Sequence, residues 1–206
     1  MIKKPVGYDE AAAYTGEFQQ LPKGKYVCVI KQVSIQESRN GNQQFVILFD
    51  IAEGEYKDFY KKMFDGDKAQ NPKDAKWRGV YKQNMEGKGL PWFKGIITSI
   101  ERSNNISFRW DQEKNEDSLR GKKFGGIFWR RQYEAANGNR PFATELYQIR
   151  SVEGLKDAEV PEDKLLPEGS APTASTPAVT DPAHPLSGDD GFINIPDGID
   201  EELPFM

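Results

Sequence analysis

Cysteine and histidine are almost missing from this 206-residue chain, with Cys28 and His184 the single example of each. One cysteine excludes an intramolecular disulfide framework and any zinc cluster built on cysteines. One histidine, set in a stretch rich in Pro, Ser and Thr, leaves nothing for a His-based triad or metal site. No apolar run approaches the roughly 20 residues that a bilayer crossing requires. The opening MIKKPVGYDE lacks the apolar core of a secretory signal. These absences predict a soluble protein of the cytoplasm, without membrane association and without a metal or other cofactor.

Lys and Arg are also missing from one region. Residues 167–206 hold neither, yet they carry eight acids: Glu168, Asp181, Asp189, Asp190, Asp197, Asp200, Glu201 and Glu202. The whole chain has 28 basic and 32 acidic side chains, a net charge of −4. Setting the eight aside leaves 24 acids against 28 bases in residues 1–166, a net of +4. Within 23–150 the count is 24 basic to 16 acidic, a net of +8. A basic body therefore carries an acidic tail, and a polyanion becomes a reasonable partner for the body.

Residues 1–22 form a polar N-terminal extension with a short helical propensity at Asp9–Tyr14. GKYVCVIKQVSIQES, from Gly24, is rich in Val and Ile and free of internal Gly and Pro, which predicts a strand. Arg39-Asn40-Gly41-Asn42 carries the Asn-Gly hairpin signal. QQFVILFDIAE follows as a second strand, apolar on both faces, as in a strand covered on both sides. The segment Lys57–Phe64 predicts a third strand. From Leu90, the residues Leu90, Phe93, Ile96, Ile97 and Ile100 share a stripe at helical spacing, and Pro91 suits a first turn, predicting a helix over about 90–102. A second hairpin is expected over 122–152, around Asn137-Gly138. Five strands with one helix between strands 3 and 4 match the OB-fold, a five-stranded Greek-key barrel. The expected organisation is an extension at 1–22, the barrel domain at 23–160, a disordered linker at 161–196 and an acidic partner-binding tail at 197–206. The linker composition buries too little apolar surface to offset chain entropy.

Basic and aromatic residues interleave in three places. The first group is Lys57, Tyr60, Lys61, Lys62 and Phe64, and the second is Lys76, Trp77, Arg78, Tyr81 and Lys82. The third is Lys122, Lys123, Phe124, Phe128, Trp129, Arg130, Arg131 and Tyr133. Single-stranded nucleic acid calls for this mixture, since cations follow the phosphates and flat rings stack on unpaired bases. The competing reading is that strand aromatics serve the core. Alternation along a strand puts Ile127, Trp129, Arg131 and Tyr133 on one face, and Phe128, Arg130 and Gln132 on the other. Phe128 is then the core candidate, and Trp129 with Tyr133 the platform. Trp92, at the flank of the helical stripe, reads as structural. The candidate single-stranded DNA contacts are Lys61, Lys62, Trp77, Arg78, Tyr81, Lys122, Lys123, Trp129, Arg131 and Tyr133.

The chain closes on Asp200-Glu201-Glu202-Leu203-Pro204-Phe205-Met206. In this it resembles bacterial and phage single-stranded DNA-binding proteins, which end in an acidic tail with a Pro-Phe pair. In that family the Phe enters an apolar pocket on repair and replication proteins, and the acids face basic residues around it. The resemblance implies the same for Phe205, Pro204, Leu203 and Asp200–Glu202. The family's Phe is the last residue and its carboxylate is gripped as well; Met206 moves that carboxylate one residue away. The body, from YDEAAAYTGEFQQLPKGKYVCVI through FDIAEGEYKDF, LPWFKGIITSIE and GKKFGGIFWRRQYEAANGN to IRSVEGL, is similar to phage- and mobile-element-encoded proteins of Gram-positive bacteria assigned as single-stranded DNA-binding proteins. This resemblance spans about residues 8–155. It implies an OB-type fold, a bacterial host cell, and a role in phage or mobile-element replication, recombination or repair.

The expected function is non-enzymatic coating of single-stranded DNA, with replication or recombination proteins recruited through the tail. A homodimer or higher oligomer suits a small binder of this kind. No Walker A loop, dinucleotide glycine fingerprint or EF-hand loop is present. Two alternatives stay open: a nuclease or recombination enzyme on a small barrel, and a protein-interaction barrel that binds no nucleic acid. Asp50 with Glu53, or Asp111 with Glu113, are the acid pairs a Mg²⁺-dependent nuclease would use. Cys28 reads as core filler.

Overall fold

The structure is a computed structural model and describes residues 3–6, 8, 20–38, 40–135 and 138–167. The helical propensity at Asp9–Tyr14 and the tail residues Asp200, Glu201, Glu202, Leu203, Pro204 and Phe205 lie outside them.

The two Val- and Ile-rich segments form strands β1 (Gly24–Glu37) and β2 (Gln43–Ile51), joined through Asn40-Gly41 with Gly41 at φ 75°. Both faces of β2 are covered: Phe45, Ile47, Phe49 and Ile51 are buried on one, and Val46 on the other. The chain then forms α1 (Phe59–Gln70), where the sequence predicts a strand. Phe59, Tyr60 and Phe64 recur at helical spacing and all three are buried. What starts this helix is distant in sequence. Asp58, at the helix entrance, makes no side-chain cap. The Asp50 carboxylate does so instead, accepting from the N–H groups of Ile51 (2.8 Å), Tyr60 (2.9 Å) and Lys61 (3.1 Å). Such bonds satisfy donors that a helix start leaves orphaned. Burial pushes the Asp50 carboxyl above its ordinary range, and the three N–H bonds and Lys31 oppose the shift.

The third strand comes later, as β3 (Val80–Asn84), a short run of five residues. Helix α2 (Leu90–Asn104) follows the predicted stripe, with Pro91 in its first turn and Phe93, Ile96, Ile97 and Ile100 buried. Leu90, its first residue, is 53% exposed and does not reach the core. The second hairpin consists of β4 (Lys123–Gln132) and β5 (Phe142–Arg150).

The five strands make one antiparallel sheet in the order β3-β2-β1-β4-β5. The fold is mainly β, with α2 between the third and fourth strands and α1 as an additional helix. The core is aromatic: Phe49 meets the rings of Tyr60, Phe124 and Phe128 at 5.3–6.0 Å between centroids. Cys28 is buried there, a free thiol whose pKa is pushed well up by desolvation. Among the described residues no helix is long and apolar enough to cross a membrane.

The chain beyond β5 turns back over the outer face of the β4–β5 hairpin. Leu155 seats on Gly125, where a Cβ would stand 2.6 Å from the Leu155 Cγ, so the close approach requires glycine. Residues 161–167, which the composition assigns to the linker, lie against β4. Lys164 pairs with Arg131 in a parallel bridge, donating its N–H to the Arg130 carbonyl at 2.9 Å, and its own carbonyl accepts from the Gln132 N–H at 2.8 Å.

Candidate nucleic-acid interface

Strand β4 alternates as the sequence predicts. Phe124 and Phe128 are fully buried, while Ile127, Trp129, Arg131 and Tyr133 face the other way. Ile127 is nonetheless 2% exposed, because the returning chain covers it. Register in β5 shifts next to Phe128: Ile127 pairs with Gln148 and Phe128 with Leu146, leaving Tyr147 as the extra residue of a bulge. The bulge brings the Tyr147 ring beside Trp129, at 4.9 Å between centroids and 52° between planes. A polarised pair of large rings thus sits on the outer face of the hairpin, half-buried rather than in the core.

Cations flank this pair. Arg131 lies two residues on from Trp129 and makes a bidentate ion pair with Glu145, through Nη2 at 2.8 Å and Nε at 3.1 and 3.2 Å. That pairing raises the Arg131 pKa. Lys164 places its Nζ 5.7 Å from the Trp129 ring centroid. Tyr133 follows at the hairpin tip, 41% exposed. On the opposite face, the Arg130 guanidinium lies 5.1 Å from the Phe142 ring centroid and pairs with Asp163.

The other predicted contacts fall elsewhere, and two change role. Trp77 is 4% exposed, and its indole N–H donates to the carbonyls of Phe49 (3.1 Å) and Gly79 (3.2 Å). Its ring packs on Phe64. Tyr81 is also buried, where desolvation drives its pKa up. Both rings are core components: α1 covers Trp77 through Phe64, and Tyr81 lies beside Ile47 of β2 with its hydroxyl on Gln83, which bonds the Gly89 carbonyl at the start of α2. Arg78 ties that helix down through Asp67 at 2.9 Å. Lys61 forms an i,i+4 ion pair with Asp65, and Lys62 is exposed on the same helix. Lys123 begins β4, with Lys122 just before it, and Lys123 pairs with Glu53. Register places Lys123 beside Val29, and Val29 beside Asp50, which holds the Lys61 N–H. Lys61, Lys122 and Lys123 therefore gather at one end of the sheet. Trp129, Arg131 and Tyr133 stand at the other, about 20–30 Å along β4 at the usual rise per residue.

Sequence reasoning missed four participants. Tyr147 is displaced by a bulge that strand alternation does not reveal. Phe142, Asp163 and Lys164 acquire their roles only when the chain folds back. The acid pairs offered for Mg²⁺ gain no support. Both oxygens of Asp50 are committed to backbone N–H groups, and no group of three His, Cys, Asp or Glu among the described residues is arranged to hold a metal.

No protein-family model matches this chain, and no curated protein matches it.

Proposed function

We propose that this protein binds single-stranded DNA without catalysing a reaction, on an OB-type barrel, and recruits replication or recombination proteins through its acidic C-terminal tail. The observation that carries the proposal is the Trp129–Tyr147 ring pair on the outer face of a hairpin, flanked by Arg131, Lys164 and Tyr133. Stacking on such rings is indifferent to base identity, since every base has a π-face, and the cations supply phosphate contacts.

The strand order supports the OB reading. Read as β4-β1-β2-β3, it is the spatial order of a Greek key, with the fourth strand returning beside the first. The helix between strands 3 and 4 belongs to the same arrangement. OB-folds bind oligonucleotides partly through the loop joining strands 4 and 5, and here that loop carries Tyr133, four residues beyond Trp129. The tail's role rests on its resemblance to the acidic Pro-Phe termini and on its charge.

The test is competition binding with labelled oligo-dT against duplex DNA and oligo-rU. Preference for oligo-dT over duplex supports the proposal, and preference for oligo-rU redirects it to RNA. Equal binding of duplex, or binding of neither, refutes it. Deleting 197–206 should leave oligo-dT affinity intact or stronger, with partner recruitment lost.

A further inference from the structure

The chain that folds back after β5 neutralises cations at the edge of the proposed DNA surface. Beyond the Gly24–Phe128 pair, β1 has not yet begun, and the β1-side edge of β4 is open to another strand. Residues 163–166 fill that slot. Lys164 bridges Arg131, and the Leu166 N–H donates to the Gln132 side chain at 3.2 Å. Asp163 holds two cations at once: Lys23 at 2.8 Å, from just before β1, and Arg130, from β4. The neighbouring Lys164 lies over Trp129. One short segment thus occupies two cations and one stacking ring together.

Its hold is light. Besides the bridge at Lys164 and the Leu166–Gln132 bond, the segment is fastened by partly exposed ion pairs, which contribute little individually. Leu165 is 66% exposed and anchors nothing. Between residues 157–162 and the sheet lies an open cleft of about 650 Å³, lined on the sheet side by Tyr147, Gln148 and Arg150. A carboxylate accepting from Arg130 and Lys23 presents the oxygens that a phosphate would present, with less charge and fewer acceptors.

We infer that Lys23 and Arg130 form a phosphate site, filled by Asp163 in the free protein, at the β1-side edge of β4, bordering the nucleic-acid surface from the face opposite Trp129, so that residues 156–167 act as a displaceable strap along that edge with Lys164 over Trp129. This rests on the single-stranded DNA reading. A strand entering the site exchanges its phosphate for the Asp163 carboxylate, and departure of the strap lifts Lys164 from the ring. The two events are coupled because residues 163 and 164 are adjacent.

Two full-length variants test this against the wild type, by oligo-dT titration. Asp163→Asn removes the charge, and affinity should rise by between about twofold and thirtyfold, the range spanned by two exposed ion pairs. Unchanged or weaker binding, with wild-type binding present, overturns the phosphate site while leaving the DNA reading standing. The second variant combines Arg131→Cys with Lys164→Cys, at register partners, to lock the strap to β4. The oxidised form should bind at least tenfold more weakly than the same protein after reduction, which controls for the loss of Arg131. Equal affinity in the two forms overturns the strap. If no form binds oligo-dT, the DNA reading itself has failed.

Discussion

Lys164 stands with its ammonium 5.7 Å from the centre of the Trp129 ring, although 35 residues separate them in the chain. The neighbouring Asp163 has its carboxyl held down to about 2 by Arg130 and Lys23. A folded-state pKa below the ordinary 3.8 means that the stabilisation is complete above that value and is lost as pH falls through about 2. Tryptophan fluorescence of the free protein should therefore change between about pH 4 and 2. In Asp163→Asn that component should be absent, because the titrating group is gone.

Trp129 carries the proposed stacking. Trp129→Ala should weaken oligo-dT binding by about 1–3 kcal/mol, roughly 5- to 150-fold, while circular dichroism shows the sheet retained. Trp129→Phe, which keeps a flat ring, should recover much of the loss. Equal affinity for all three proteins would remove Trp129 from the interface.

Arg131 is engaged with Glu145 in the free protein and should turn to a phosphate in the complex. Arg131→Gln should reduce the steepness of the log affinity–log salt plot by about 0.7, the increment for one phosphate contact on single-stranded DNA. Glu145→Gln should act in the opposite sense on affinity, since Arg131 is then free before DNA arrives. Titrations at several salt concentrations measure both effects.

Trp77 provides the contrast. Trp77→Phe removes the donor shared by the Phe49 and Gly79 carbonyls and leaves unfilled volume. Urea unfolding should show a loss of about 1–3 kcal/mol. Oligo-dT affinity measured on the folded variant should match the wild type. A folded variant with unchanged stability and weakened DNA binding would return Trp77 to the interface.

Asp50 should prove structural. In Asp50→Asn an amide nitrogen replaces one acceptor, so one of the three N–H groups loses its partner. A cost of about 1–3 kcal/mol is expected at neutral pH, read by urea unfolding. The pH dependence has its own sign. Because the folded-state pKa is raised, this carboxylate weakens folding progressively as pH rises from the ordinary 3.8 through its raised value. Asp50→Asn should remove that slope.

Some of this was legible in the sequence. The β1–β2 hairpin is written in β-branched runs around Asn40-Gly41, and α2 in its apolar stripe after Pro91. The faces of β4 follow from alternation alone. Helix α1 was not legible, because Phe59, Tyr60 and Phe64 suit a strand as well as a helix, and its cap is contributed by Asp50 from another element. Strand β3 is a polar run of five residues with little signal of its own. Trp77 reads as a surface ring because its burial against Phe64 depends on that unforeseen helix, and Tyr81 because the strand that turns it inward carries so little signal. The strap was hidden by composition, since residues 161–167 resemble the linker that follows and are distinguished only by where Asp163 and Lys164 land.

The central claim is tested most directly by titrating the protein with oligo-dT while following its tryptophan fluorescence, beside a duplex of equal length. The account predicts quenching by oligo-dT that is largely lost in Trp129→Phe, weaker binding of the duplex, and affinity that falls as salt rises. Equal binding of duplex and single strand, or no binding of either, would contradict it.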